Sequence, residues 1–235
     1  MKNTLLILIL LLGFNQSGIA QRYGKNYPSF DYKHLHFGFA LGVNTSDFRY
    51  QINVDSAYTD SISSITIKKQ PGFNLGIIGS WDIDETVHLR FIPSISFQER
   101  YFQYSYFDEK GELRSKDNRL ESTYLDFPLM LKLRSKRLNN FAAYALGGFQ
   151  YSLDLASQKD VDQTLGEPIV KIKQHDWQYQ VGGGFDFWLP YFKLGLELKI
   201  SNGIRNVAIQ DNSFFMDPLS SLKTKVWWFS ITFEG

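Results

Sequence analysis

The 235-residue chain contains no cysteine, and this excludes disulfide stapling, thiolate metal sites and a lipid-bearing cysteine at a processing point. It also lacks a charge excess. A formal net charge of +1 gives no basic field of the kind that draws in nucleic acid, so no nucleic-acid partner is expected. Past the first twenty residues there is no long apolar run, so no helical membrane span is available. The run from Leu5 to Leu12 follows Lys2 and precedes the small residues Gly18 and Ala20. It is well short of the roughly 20 residues a spanning helix needs. It reads as a signal peptide over 1–20, cleaved before Gln21.

What is abundant is aromatic residues, at 16%, and glycine, at 18 residues, a pairing that suits strands which face lipid and pack closely. The dominant pattern is period-two alternation in eight segments of about ten residues, the repeat of a strand with one face on lipid and one on a polar lumen. Phe37, Phe39, Leu41 and Val43 alternate with Gly38, Ala40, Gly42 and Asn44. Trp177, Tyr179, Val181, Phe185 and Phe187 alternate with Gln178, Gln180, Gly182, Gly184 and Asp186. Similar runs start near Phe73, Val87, Leu120, Phe192 and Trp227. The fifth segment, Phe141 to Leu153, is apolar on both faces, and its facing stays open.

The connections alternate long and short: Thr45–Gly72, Ile83–Thr86, Asp108–Arg119, Ser135–Asn140, Asp154–His175, Leu189–Tyr191 and Asn202–Thr224. Outer-membrane barrels have short periplasmic turns and longer outer loops, which places both termini in the periplasm. The expected fold is all-β, a transmembrane eight-stranded antiparallel up-and-down β-barrel. It occupies residues 36–235, with residues 21–35 as a periplasmic N-terminal strap. The expected localisation is the outer membrane, with its lipid as one partner. A soluble sandwich or lipocalin-like barrel would have to crowd Phe37, Phe73, Phe91, Phe127, Phe185 and Phe192 into one small core. Trp81, Trp188 and Tyr191 near one rim and Tyr104, Tyr106 and Trp227 near the other read as interfacial girdles.

The expected lumen charges are Arg90, Asp126, Lys132, Asp186, Lys193, Glu197 and Lys199. An eight-stranded barrel has an interior wide enough only for side chains, so these charges are expected to pair with one another. The four histidines are His34, His36, His88 and His175. They lack a nucleophile context or a third ligand at metal spacing, so no catalytic residue, metal or cofactor is expected. Gly182, Gly183 and Gly184 lie inside a strand and read as packing positions. Pro93 and Pro128 read as a local bulge, with a weakened lateral pairing as the alternative.

Three stretches carry a family resemblance. They are Asn26-Tyr27-Pro28-Ser29-Phe30-Asp31 leading into His36 to Asn44, Tyr124-Leu125-Asp126-Phe127-Pro128-Leu129, and Ser201-Asn202-Gly203-Ile204-Arg205-Asn206-Val207. Together they resemble the PorT family of Bacteroidetes outer-membrane proteins. The resemblance implies a non-enzymatic accessory barrel of type IX protein secretion and gliding-type surface processes, with protein partners from a secretion machine. Gly203, Ile204, Arg205, Asn206 and Val207 are the candidate partner contact. The competing readings are a stand-alone barrel for transport or ligand binding, and a lipid hydrolase using His88.

Overall fold

The computed structural model describes residues 24–53, 62–108, 110–157, 170–210 and 216–235; the expected signal peptide lies outside them. A 3-10 turn, Pro28–Tyr32, precedes nine strands: β1 (Leu35–Ile52), β2 (Ile62–Asp82), β3 (Val87–Phe91), β4 (Ser94–Phe107), β5 (Leu113–Arg134), β6 (Phe141–Asp154), β7 (His175–Trp188), β8 (Lys193–Gly203) and β9 (Leu219–Glu234). β3 and β4 are two lengths of one stave. Each stave pairs antiparallel with the next, and β9 closes on β1 through pairs such as Phe39↔Phe233. The result is an eight-stave up-and-down barrel.

The alternation is what closes the ring. Phe37, Phe39, Leu41 and Val43 are exposed on the outside of β1, with Phe37 67% exposed, while His36, Ala40 and Asn44 are buried inside. Outward rings stack across strands, Phe39 on Phe233 at 4.9 Å and Phe73 on Phe97 at 4.5 Å. The ambiguous segment, β6, turns Tyr144, Leu146, Gln150 and Ser152 inward and leaves Phe149 62% exposed. Two girdle assignments change. Trp188 and Tyr104 are buried and point inward, whereas Trp81, Tyr191 and Trp227 remain outside.

The strands run further than alternation alone indicated. β2 and β5 have 21 and 22 residues against 14 and 11 for β7 and β8, so one side of the barrel continues as a wall at the long-loop end. The segment expected as the loop Asp108–Arg119 is mostly strand, reduced to a tight turn. There the Asp108 carboxylate accepts from the backbone N–H of Glu112 and Lys110 and from Arg114 Nε, and these bonds hold its carboxyl below the ordinary carboxylate range. The pairing reward of neighbouring extended backbone, absent from a lipid-facing pattern, explains the extension.

The bulge expected at Pro93 and Pro128 is not there. β2 pairs Gly79 with Phe91 and Gly76 with Ser94, and β5 pairs Leu129 with Phe91 and Asp126 with Ser94, so the register passes through Ile92 and Pro93 unshifted. Ile92 N donates to Pro128 O at 3.2 Å and Ile77 N to Pro93 O at 2.9 Å. Each proline removes only its own donor. The register of β2 against β4 shifts instead between Ile62 and Ser64 and between Lys69 and Phe73, around Pro71.

Gly184 is required by close approach. A Cβ there would stand 2.7 Å from the Tyr144 ring, which is held under Lys132 with Nζ 3.7 Å from its centroid. Gly184→Val is expected to abolish the heat-modifiable folded band on gels, whereas Gly147→Ala, with open space around the new methyl, is expected to retain it.

Candidate functional site

Inward residues from every strand fill the lumen in layers. At the short-turn end the strap enters the barrel. Phe30 is fully buried, stacked on His36 at 3.7 Å and edge-on to Trp188 at 6.3 Å. Arg137 clamps this stopper: Nη1 donates to Asp31 at 3.0 Å, Nη2 donates to Asn26 O and Asn140 Oδ1, and the guanidinium lies 4.4 Å from the Trp188 ring. Asp82 accepts from both neighbouring imidazoles, His88 Nδ1 at 2.6 Å and His36 Nε2 at 3.2 Å. Among the described residues the remaining nitrogens, His36 Nδ1 and His88 Nε2, have no hydrogen-bond partner, so no described serine completes a triad through them.

Beside the stopper lies a cavity of about 460 Å³, lined by Lys25, Lys33, His34, Asp84, Arg134 and Lys136 among others. Arg134 donates from Nη2 to Glu85 O at 3.0 Å, while its Nε and Nη1 are buried without a partner. Among the described residues no group of three histidine or carboxylate side chains is placed to hold a metal ion.

Above the stopper the charges form one alternating chain. Lys132 pairs with Asp186 at 2.8 Å, Asp186 lies 3.9 Å from Lys193, and Lys193 meets Glu234 at 2.9 Å. Glu234 accepts from Arg90 at 3.1 Å, Arg90 also pairs with Glu197, and Glu197 pairs with Lys199 at 3.0 Å. The chain crosses the lumen from β5 and β7 through β8 and β9 to β3 and returns to β8, and all seven groups are at least 90% buried. Of the seven residues expected there, six join it. Asp126 does not: it stands one layer further along, accepting from Ser96 Oγ (2.7 Å), Ser152 Oγ (2.6 Å) and Gln150 Nε2 (2.8 Å). Neutral donors from β4 and β6 reach it, and among the described residues no cation does.

Glu234 takes the seventh place in the chain. It was not among the expected lumen charges, although the inward set Ser230, Thr232 and Glu234 continues the alternation. Arg100 was also not among the expected lumen charges, although it follows Ser96 and Gln98 on the inner face of β4; it is fully buried, 4.3 Å from the Phe48 ring and bonded to Gln98. Between Asp126 and the ion chain the void near Ala40, Ile92 and Trp228 is about 20 Å³, room for about one water.

The long-loop end is closed by an apolar cap. Lys173 N donates to Val207 O and Ile209 N to Lys171 O, pinning 171–173 to 207–209 over the lumen, where Ile172, Val207, Met216 and Leu222 pack on Phe48 and Phe102. Part of the candidate partner contact is taken up in this cap. Val207 is buried in the cap and Gly203 is buried against Thr224. The Asn206 side chain is tied to Ala208, Ser220 and Leu222. Only Ile204 and Arg205 stand exposed.

With the geometry in view, the chain matches the family described as "Outer membrane protein beta-barrel domain" over residues 14–208. It belongs to that family. This outer-membrane barrel is similar in fold to OprG of Pseudomonas aeruginosa, with 18% identity over 86% of this chain and 95% of that one and a TM-score of 0.49. Neisserial surface protein A is 7% identical over 85% and 96%, with a TM-score of 0.43. Ail of Yersinia pestis, solved with the heparin analogue sucrose octasulfate, is 11% identical over 86% and 100%, with a TM-score of 0.38. No curated protein matches. The protein resides in the outer membrane.

Two outcomes follow from the filled lumen. Arg90→Met is expected to destabilise the barrel by about 3–5 kcal/mol, because it leaves Glu197 and Glu234 buried with one cation fewer; urea unfolding in detergent, read by loss of heat-modifiable migration, measures this. Purified protein in planar bilayers is expected to give no discrete conductance steps, since the ion chain and cap leave no continuous path among the described residues.

Proposed function

We propose that this outer-membrane barrel is non-enzymatic and works through its two ends, as an accessory component of type IX protein secretion and the surface processes that depend on it. The observation that carries the reading is the lumen, occupied in turn by stopper, ion chain, polar layer and apolar cap. A barrel so filled conducts neither folded cargo nor solute, so its use lies in what it presents on either side. The resemblance to the PorT family, carried by the residues around Phe30, Phe127 and Arg205, supplies the secretion context.

In this reading residues 1–20 are cleaved, both termini are periplasmic, and the strap from Gln21 offers the periplasmic contact. The exposed pair Ile204 and Arg205 offers the outer one. Lipid hydrolysis is disfavoured by the Asp82 arrangement, in which both histidines are held by one carboxylate and neither meets a nucleophile. A second reading, a stand-alone ligand-binding barrel, rests on the 460 Å³ cavity at the short-turn mouth with its partnerless Arg134 nitrogens.

Deleting the gene in its host and quantifying proteins that bear the C-terminal sorting signal tests the first reading. Their accumulation inside the cell, restored to the medium by the intact gene and not by an Ile204→Glu/Arg205→Glu variant of equal abundance, is expected. Wild-type secretion in the deletion strain would remove the assignment and leave the second reading.

A further inference from the structure

The outer face of the barrel breaks an elementary rule at the long-loop end. Going up β1, the outward residues are Leu41, Val43, Thr45, Asp47 and Arg49; going up the partner β9 they are Ile231, Phe229, Trp227, Lys225 and Lys223. The register sets Thr45 opposite Trp227, Asp47 opposite Lys225, and Arg49 directly opposite Lys223. Directly opposed like charges on one sheet face destabilise the pair. Asp47 is occupied at 3.3 Å by Lys69, and among the described residues no carboxylate lies within ion-pair distance of Arg49, Lys223 or Lys225. Among the described residues the arrangement is therefore short of an anion.

Its height on the barrel says what kind. The strip begins one outward residue above Trp227, which is 42% exposed and ends the lipid-facing apolar run of β9, so the cations stand at headgroup level. It also continues sideways. β8 pairs Asn202 with Lys225, and the following turn exposes Arg205, which with Lys173 and His175 lines a recess of about 340 Å³. Beneath that recess lie the exposed rings of Trp177 and Tyr179 on β7. The exposed apolar run of β1 and β9 (Leu41, Val43, Phe229), the aromatic belt and the cations thus stack along one side in the order of acyl chain, interface and headgroup.

We propose that this strip binds a phosphorylated glycolipid of the outer leaflet, with Arg49 and Lys223 sharing one phosphate between them and the Arg205–Lys173 recess taking a second. Arg49 supplies the planar fork suited to phosphate oxygens, and Lys223 the point charge. The bound phosphate turns a repulsive cross-strand pair into a bridged one. The lipid thereby ties β9 to β1 where the barrel closes. The placement needs the long-loop end to face outward, as proposed above, but binding by purified protein does not depend on that orientation, so the two readings fail separately.

The test uses the full-length folded protein in detergent, titrated with diphosphorylated lipid A, with the same glycolipid dephosphorylated, and with inorganic phosphate, read by native mass spectrometry. Saturable binding of the phosphorylated lipid only is expected, undisturbed by millimolar inorganic phosphate. Arg49→Gln/Lys223→Gln is expected to weaken it about tenfold or more with unchanged heat-modifiable migration. Arg49→Glu, which supplies the missing anion from within, is expected to raise the melting temperature in lipid-free detergent while abolishing lipid binding. Equal binding of the dephosphorylated glycolipid, displacement by inorganic phosphate, or wild-type affinity in the double variant would each overturn the proposal.

Discussion

Closure of β9 on β1 is the constraint on which the rest of the molecule depends. In hydrocarbon every backbone N–H and C=O must find a partner within the sheet, and only a closed ring leaves no edge. The seam that closes the ring also brings the penultimate residue, Glu234, into the lumen beside Lys193 and Arg90. Ring closure and charge compensation are therefore one event. Without the seam, the alternating chain from Lys132 to Lys199 would lose the carboxylate at its middle.

That chain divides the interior into two functional halves. Toward the short turns, Phe30 and Trp188 seal the lumen with aromatic surface, held by one arginine that reaches three segments. Toward the long loops, the cap covers the lumen with buried aliphatic side chains. The two closures differ in kind: the stopper is the turn that precedes β1 and folds into the short-turn mouth, whereas the cap is built from the segments before β7 and after β8.

The sequence pattern was legible wherever lipid and lumen impose opposite demands on neighbouring residues. Phe37 to Asn44 and Trp177 to Asp186 alternate cleanly because each pair of positions meets two different solvents. It was least legible in β6, where Ala142, Tyr144 and Leu146 face the lumen with apolar surface because Tyr144 underlies Lys132 and Leu146 joins Met130 in a small buried cluster. It also faded above the apolar band. There both faces of β2 and β5 meet water or loops, alternation loses its cause, and strand was read as loop. Pro93 and Pro128 misled for a related reason: a missing donor is visible in sequence, but whether the register shifts around it depends on what the neighbouring strands can still accept.

The sequence by itself determined the β-barrel class, the strand count and most inward and outward positions, because period-two contrast between lipid and lumen is a local property of each strand. It also identified six of the seven members of the ion chain, since a charge on the inward face of a narrow barrel must find an opposite charge. Only the tertiary structure decided which charges pair, that Asp126 stands apart among neutral donors, that Phe30 plugs the mouth, and that Val207 belongs to a core. Those facts depend on register between strands far apart in the chain and on where loops fold back, and neither is written in the spacing of any single segment.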